Sequence, residues 1–188
     1  MQRPKDPGSR ERDLAGEAYI RQLRATFEKM PHDIPLLLFA DRGADNVFAQ
    51  AARQVIRAFR ELSPRITLKE YDLTHELARK HQVTSSPTLI IAPDRYAIRW
   101  LGAPMGEEAR TFLEIMLLVG AGRSSLSEQA AKVIRRIDSP RRVKVFVSPT
   151  CPYCPDQTLN AVKAAIERPD MVSVEIIDIQ ANPDLASQ

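Results

Sequence analysis

One pattern of apolar segments occurs twice in this chain, and it limits the fold more than any other feature. The run Ile34-Pro-Leu-Leu-Leu-Phe-Ala40 is short, apolar and bounded by breakers, as a buried strand is. From Ala44 to Leu62 the apolar residues Val47, Ala51, Val55, Ile56, Phe59 and Leu62 follow helical spacing, and Pro64 ends the run. Ile66 to Asp72 then alternates, as a half-buried strand should. The same series returns later as a strand at Val143–Ser148, a helix at Pro152–Glu167 and a strand at Val172–Ile179. A shift of 107 positions lays Phe39 on Phe146, and Asp72 on Asp178 within one residue. It also lays Ala44-Asp-Asn-Val47 on Cys151-Pro-Tyr-Cys154. The first copy thus has the frame of the second without its cysteines.

The first copy continues further. Thr74 to His81 predicts a short helix with Thr74 as its N-cap. Thr88–Ala92 and Tyr96–Leu101, separated by Pro93-Asp94, predict a hairpin. Gly106 to Val119 predicts a helix closed by Gly120-Ala-Gly122. Residues 1–10 read as a frayed tail, and a helix is expected from Asp13 to Met30, stopped by Pro31. The order β-α-β-α-β-β-α is that of the thioredoxin fold, and right-handed, short connections leave few alternatives. Three regions follow: 1–30, a tail and helix; 31–122, a complete, cysteine-free thioredoxin-like unit; and 123–188, a second such unit. The last region opens with a linker, Gly120 to Ser125, and a helix predicted at Ser127–Ile137. Its ββα half has no counterpart in the sequence. Two parallel strands and one helix cannot cover both faces and both edges. This unit therefore reads as a fragment, or as one completed by a segment from elsewhere.

Composition sets the remaining bounds. Hydrophobic residues make up 44% and charged residues 27% of 188, a globular balance. The net charge of +3 comes from well-mixed charges, 27 basic against 24 acidic, so nucleic acid is not an expected partner. No apolar run reaches the ~18–20 residues of a membrane helix. Met1 to Asp13 has no apolar core of an export signal, so a cytoplasmic location and no membrane association are expected.

The chain has two cysteines, Cys151 and Cys154. Between a strand and a helix, a C-x-x-C pair fits dithiol–disulfide chemistry. The amino end of a helix stabilises a thiolate, so Cys151 is the expected nucleophile. Cys154, three residues on, lies one turn later and can resolve a mixed disulfide. Pro152 suits the first helical position and Pro155 is tolerated in the first turn, so both shape the motif together with Tyr153. A zinc site would need further Cys or His ligands nearby, and His75 and His81 are distant in sequence, so no metal is expected. An iron–sulfur cluster bridged between two chains, or a scaffold without enzymatic activity, is the alternative reading. His32, His75 and His81 read as solvated, Trp100 as core, and the arginines at 135, 136, 141 and 142 as a solvated basic run able to steer acidic partners.

Thr150-Cys-Pro-Tyr-Cys-Pro155 after Val145-Phe-Val-Ser148 resembles the active-site loop of glutaredoxins. The tandem arrangement is closer to protein disulfide oxidoreductases with two fused thioredoxin-like units. It is similar also to the N-terminal domain of the flavoprotein subunit of alkyl hydroperoxide reductase. Leu101-Gly-Ala-Pro-Met-Gly-Glu-Glu108 and Ile134-Arg-Arg-Ile-Asp138 match that pattern. The resemblance implies a redox-silent first unit, a redox-active Cys151–Cys154 disulfide and a glutamate near it. That glutamate is matched by Glu108, with Glu107 as the second choice. Pro87 matches the family's cis-proline, in a structural role here. The implied partners are protein disulfides, a peroxiredoxin among them, and a flavin disulfide reductase, separate or fused, that holds FAD and NAD(P)H. No fingerprint for either cofactor lies in these residues, so none is expected on this chain. A homodimer is left open.

Overall fold

The computed structural model describes residues 7–41, 43 and 46–187, with side chains from residue 16 onward. The order is α1 (Pro7–Glu28), β1 (Ile34–Phe39), α2 (Val47–Leu62), β2 (Ile66–Tyr71), α3 (Glu76–Lys80), β3 (Thr88–Ile91) and β4 (Ile98–Leu101). Then come α4 (Glu107–Ala121), α5 (Glu128–Ile134), β5 (Arg141–Val147), α6 (Cys154–Glu167), β6 (Val172–Asp178) and α7 (Pro183–Ala186). The six strands among the described residues form one sheet in the order β2-β1-β3-β4-β6-β5.

The β1-α2-β2 and β5-α6-β6 segments repeat the same parallel pairing, with Phe39 opposite Tyr71 and Phe146 opposite Ile177. The seam between the units is a parallel pairing of β4 with β6, from Ile98 opposite Val174 to Leu101 opposite Ile177. The second unit thus takes one of its missing neighbours from the first unit of the same chain. Its other edge, along β5, has no strand beside it among the described residues.

One face of the sheet carries the main core, including Leu36, Leu38, Ile91, Trp100, Val174 and Ile176 with Ile56, Phe112, Ile115 and Val162 from the helices. The α4 stripe Glu108, Thr111, Phe112, Ile115, Met116 and Val119 is buried at helical spacing. Trp100 is fully buried edge-on to Phe112, as its place in the predicted core requires. The opposite face of the first unit is closed by a smaller cluster of Phe39, Ala78 and Ile90 under α3.

Several expectations are corrected. Helix α1 begins at Pro7, so residues 7–10 are helical rather than frayed; residues 1–6 lie outside the described residues. Helix α2 starts at Val47, capped by the Asn46 side chain, which accepts from the Ala49 N–H; residues 44 and 45 are outside the described set. The cap of α3 is His75, whose Nδ1 accepts from the Leu77 N–H at 3.1 Å. Thr74 instead binds back to Asp72 through its N–H and hydroxyl, a turn that competes with capping. Helix α5 ends at Ile134, three residues early, and Arg168 gathers the carbonyls of Arg135 and Ile137 beyond it at 2.6 and 2.7 Å. Helix α7 was not foreseen.

Candidate redox site

Strand β5 ends at Val147, and the chain turns through Ser148, Pro149 and Thr150, where the Cys151 N–H donates to the Ser148 carbonyl at 3.0 Å. Cys151 and Cys154 are joined as a disulfide with their Cα atoms 5.5 Å apart. The two sulfurs differ in access. Cys154 is buried at 9% exposure, its Sγ 3.8 Å from the Phe146 carbonyl oxygen, whereas Cys151 is half-buried. Tyr153 is 78% exposed, Pro152 is exposed and Pro155 half-buried, so these three form the rim of the pair.

Helix α6 begins at Cys154, with Tyr153 at the N-cap and Pro155 in the first turn. Pro152 therefore precedes the helix and does not open it. The first helical residue is Cys154, and Cys151 reaches the amino end of the helix through the bond to it. Tyr153 supplies no side-chain cap, so the first-turn amides keep their pull on a nearby anion.

The first unit meets this loop at α4. Gly106, the N-cap of α4, has φ +58° and lies so close to Pro149 that a Cβ there would come within 3.0 Å of the Pro149 carbonyl oxygen. That approach sets the first turn of α4 against the residues just ahead of Cys151. It separates the two candidate glutamates. Glu107 is exposed, on a groove shared with Pro152 and Pro155, while Glu108 is 1% exposed. Both Glu108 carboxylate oxygens lack a hydrogen-bond partner. Burial, opposed by the neighbouring Thr111 hydroxyl, whose approach falls short of a hydrogen bond, and reinforced by the charges of Asp178 and Glu107, raises its pKa to about 7.

Asp178 was missed as a candidate. It closes β6 at 1% exposure, its Oδ1 accepting from the Gln180 N–H at 2.9 Å and its Oδ2 unpartnered. Burial raises its pKa too. Gly102, at φ +110°, leaves it room: a Cβ there would sit 2.6 Å from the Asp178 Cβ. The signal was present in the sequence, since a carboxylate inside Ile176-Ile177-Asp178-Ile179 has apolar neighbours on both sides.

Pro87 lies in the first unit, where the Ser86–Pro87 bond is cis. The Ser86 hydroxyl accepts from the Asp41 N–H at 3.0 Å and from the Asn46 side-chain amide at 3.1 Å, tying this turn to the front of α2.

Relatives agree with this layout. A thioredoxin-domain family profile matches residues 141–188. The alkyl hydroperoxide reductase AhpF of Escherichia coli is 26% identical over 141 residues, covering 74% of this chain and 25% of that protein. The chain thus spans about a quarter of the length of that relative. The N-terminal domain of alkyl hydroperoxide reductase AhpF from Enterococcus faecalis superposes with a TM-score of 0.76 at 27% identity, covering 91% of this chain and 83% of that one. A protein disulfide oxidoreductase from Aeropyrum pernix shares the fold, with a TM-score of 0.75 at 23% identity over 91% of this chain and 78% of that one. This chain accordingly has a tandem thioredoxin-like fold with its cysteine pair in the second unit, and is similar to the N-terminal domain of the alkyl hydroperoxide reductase AhpF.

Proposed function

We propose that this chain is a protein-disulfide oxidoreductase. The carrying observation is the asymmetry of the pair: a half-exposed Cys151 bonded to a buried Cys154 at the start of α6. In the reduced form, the Cys151 thiolate attacks one sulfur of a client disulfide and the other leaves as a thiolate that takes up a proton. Cys154 then loses its proton and attacks the Cys151 sulfur, releasing the second client thiol and closing the Cys151–Cys154 bond. The client gains two electrons and two protons, and the pair loses them. The proton-handling role falls to Glu108, a buried carboxyl on the helix whose N-cap Gly106 packs against Pro149 ahead of Cys151, because a carboxyl that titrates near neutrality exchanges protons at working pH.

The client class we favour is a peroxiredoxin disulfide, and the pair is recharged by a flavin disulfide reductase, separate or fused, which holds FAD and NAD(P)H. The cytoplasm, where thiols stay reduced, suits this cycle. The test is reduction of insulin and of dithionitrobenzoate by the reduced chain. The wild type is expected to turn both over and Cys151→Ser neither. Full activity in Cys151→Ser would sink the proposal.

A further inference from the structure

Two buried carboxyls, Asp178 and Glu108, lie at the seam between the units. Asp178 closes β6 opposite Val147, one residue after the Ile177 that pairs with Leu101. Glu108 sits in the first turn of α4. The loop from Gly102 to Gly106 joins the two places. At its start Gly102 packs on Asp178, so closely that a Cβ there would lie 3.2 Å from Oδ2. Toward its end the Met105 carbonyl accepts from the Glu108 N–H at 3.1 Å. The Asn182 side chain ties the same corner, donating at 3.1 Å to the carbonyls of Leu101 and Asp178. Each carboxyl is 1% exposed, so residues of these elements already enclose it.

The two groups are held unequally. Asp178 Oδ1 accepts from the Gln180 N–H at 2.9 Å, and the backbone N–H groups of Ala181 and Ala103 also favour its ionised form. Neither oxygen of Glu108 has a hydrogen-bond partner among the described residues, nor do Asp178 Oδ2 and the Thr111 hydroxyl. Burial pushes the pKa of both carboxyls up, and the charge of Asp178 pushes that of Glu108 further. Two carboxylates in one water-poor site resist ionising together, so a proton is retained by the member with the poorer surroundings. That member is Glu108, and its protonated form brings an O–H donor to acceptors that lack one.

We infer that Glu108 and Asp178 act as one carboxyl pair that holds a single proton on Glu108, with the charged Asp178 as the positioning residue for that proton. This rests on the oxidoreductase reading and deepens it: Glu108 handles the proton, and Asp178 decides at what pH it is released. Asp178 shares a face of the sheet with its parallel partner Val147, and Val147 belongs to the core cluster that holds Cys154 and Ala103. The pair therefore lies on the side of the sheet that carries the buried cysteine. Other titratable groups stand on the packed elements. Glu107 of α4 is exposed and adds to the upward push on Glu108, and Asp156 of α6 lines the outer groove beside Glu107. Cys154 of α6 joins them once the disulfide is reduced.

The test titrates the full oxidised chain, in which neither cysteine ionises, and follows the side-chain carboxyl carbons by NMR. In the wild type, Asp178 is expected to ionise first and to show a second inflection at the Glu108 midpoint. Asp178→Asn should lower the Glu108 midpoint by about one pH unit, about a tenfold loss of proton affinity. Glu108→Gln should leave the Asp178 midpoint within about twofold in affinity, because a neutral group stands beside Asp178 in both proteins while it ionises. An unmoved Glu108 midpoint in Asp178→Asn would break the coupling. A tenfold fall of Asp178 affinity in Glu108→Gln, by about one pH unit, would put the proton on the wrong member. Either result overturns the inference, and the wild-type inflection decides the coupling even where Asp178→Asn does not fold. In the reduced chain, the pH profile of insulin reduction should move to lower pH in Asp178→Asn together with the Glu108 midpoint. A slower reaction with an unmoved profile would reject the positioning role. Insulin left unreduced by the wild type would reject the oxidoreductase reading, with the carboxyl titrations still judging the pair.

Discussion

Phe39 and Phe146 occupy the same position of the repeat, yet one is sealed and the other is 44% exposed. The strands that carry them have the same length class, the same parallel partner and a helix on the same side. What differs is the neighbour on the far edge. β1 lies between β2 and β3, with Tyr71 stacked on Phe39 at 5.6 Å and Ala78 and Ile90 closing over it. β5 has β6 alone. The lesson is that a repeat specifies a backbone frame, while burial belongs to the frame's surroundings. The cysteines follow the repeat differently: the first unit has none, and the second carries both, at the start of α6.

The largest test of this contrast swaps chemistry at matched positions. Cys151→Ser is expected to abolish disulfide exchange in the insulin assay. Cys154→Ser should still attack a client and accumulate a mixed disulfide detectable by mass. Val47→Ser, at the first-unit counterpart of Cys154, is expected to leave exchange unchanged. Loss of exchange in Val47→Ser would mean that the first unit takes part in the chemistry.

Next in size is packing. Phe39→Ala should cost about 3–5 kcal/mol in urea denaturation, as buried aromatic truncations do. Phe146→Ala should cost under about 1 kcal/mol. Equal losses would show that Phe146 is covered in solution.

The seam between the units supplies the third. Glu108 belongs to the first unit, two residues after the Gly106 that packs against Pro149 of the second, and its pKa is raised from 4.5 to about 7. A carboxyl that binds its proton more tightly when folded stabilises the fold below its unfolded pKa and loses that contribution as pH rises through its folded one. At 1.36 kcal/mol per pH unit, the oxidised protein should lose up to about 3 kcal/mol between pH 4.5 and 7 from this group. Glu108→Gln should flatten that slope relative to the wild type, with Asp178 acting alike in both. An unchanged slope would relocate the titration to Asp178.

The smallest contrast lies at the helix caps. Asn46 caps α2 with its side chain, and its counterpart Tyr153 makes no such bond on α6. Asn46→Ala should cost about 1 kcal/mol, and Tyr153→Ala close to nothing, in thermal unfolding. A large loss from Tyr153→Ala would reveal packing by its exposed ring.

The sequence by itself determined the strands, the long helices, the repeat and the redox pair. Each of these is written in local spacing, because alternation, helical period and a C-x-x-C step need only near neighbours. Helix starts were less legible. His75 caps where Thr74 was expected, and α2 starts at Val47 behind Asn46 where a helical pattern from Ala44 was expected, since several polar residues compete for one amide and small differences in turn geometry choose among them. Only the tertiary structure decided that β4 pairs with β6, and hence that the second unit borrows an edge from the first. It likewise chose Glu108 over Glu107 for burial, through the approach of Gly106 to Pro149, and drew Asp178 into the same interior. Those outcomes join residues far apart in the chain, such as Leu101 and Ile177, 76 positions apart, and depend on which surfaces remain uncovered once each unit has formed.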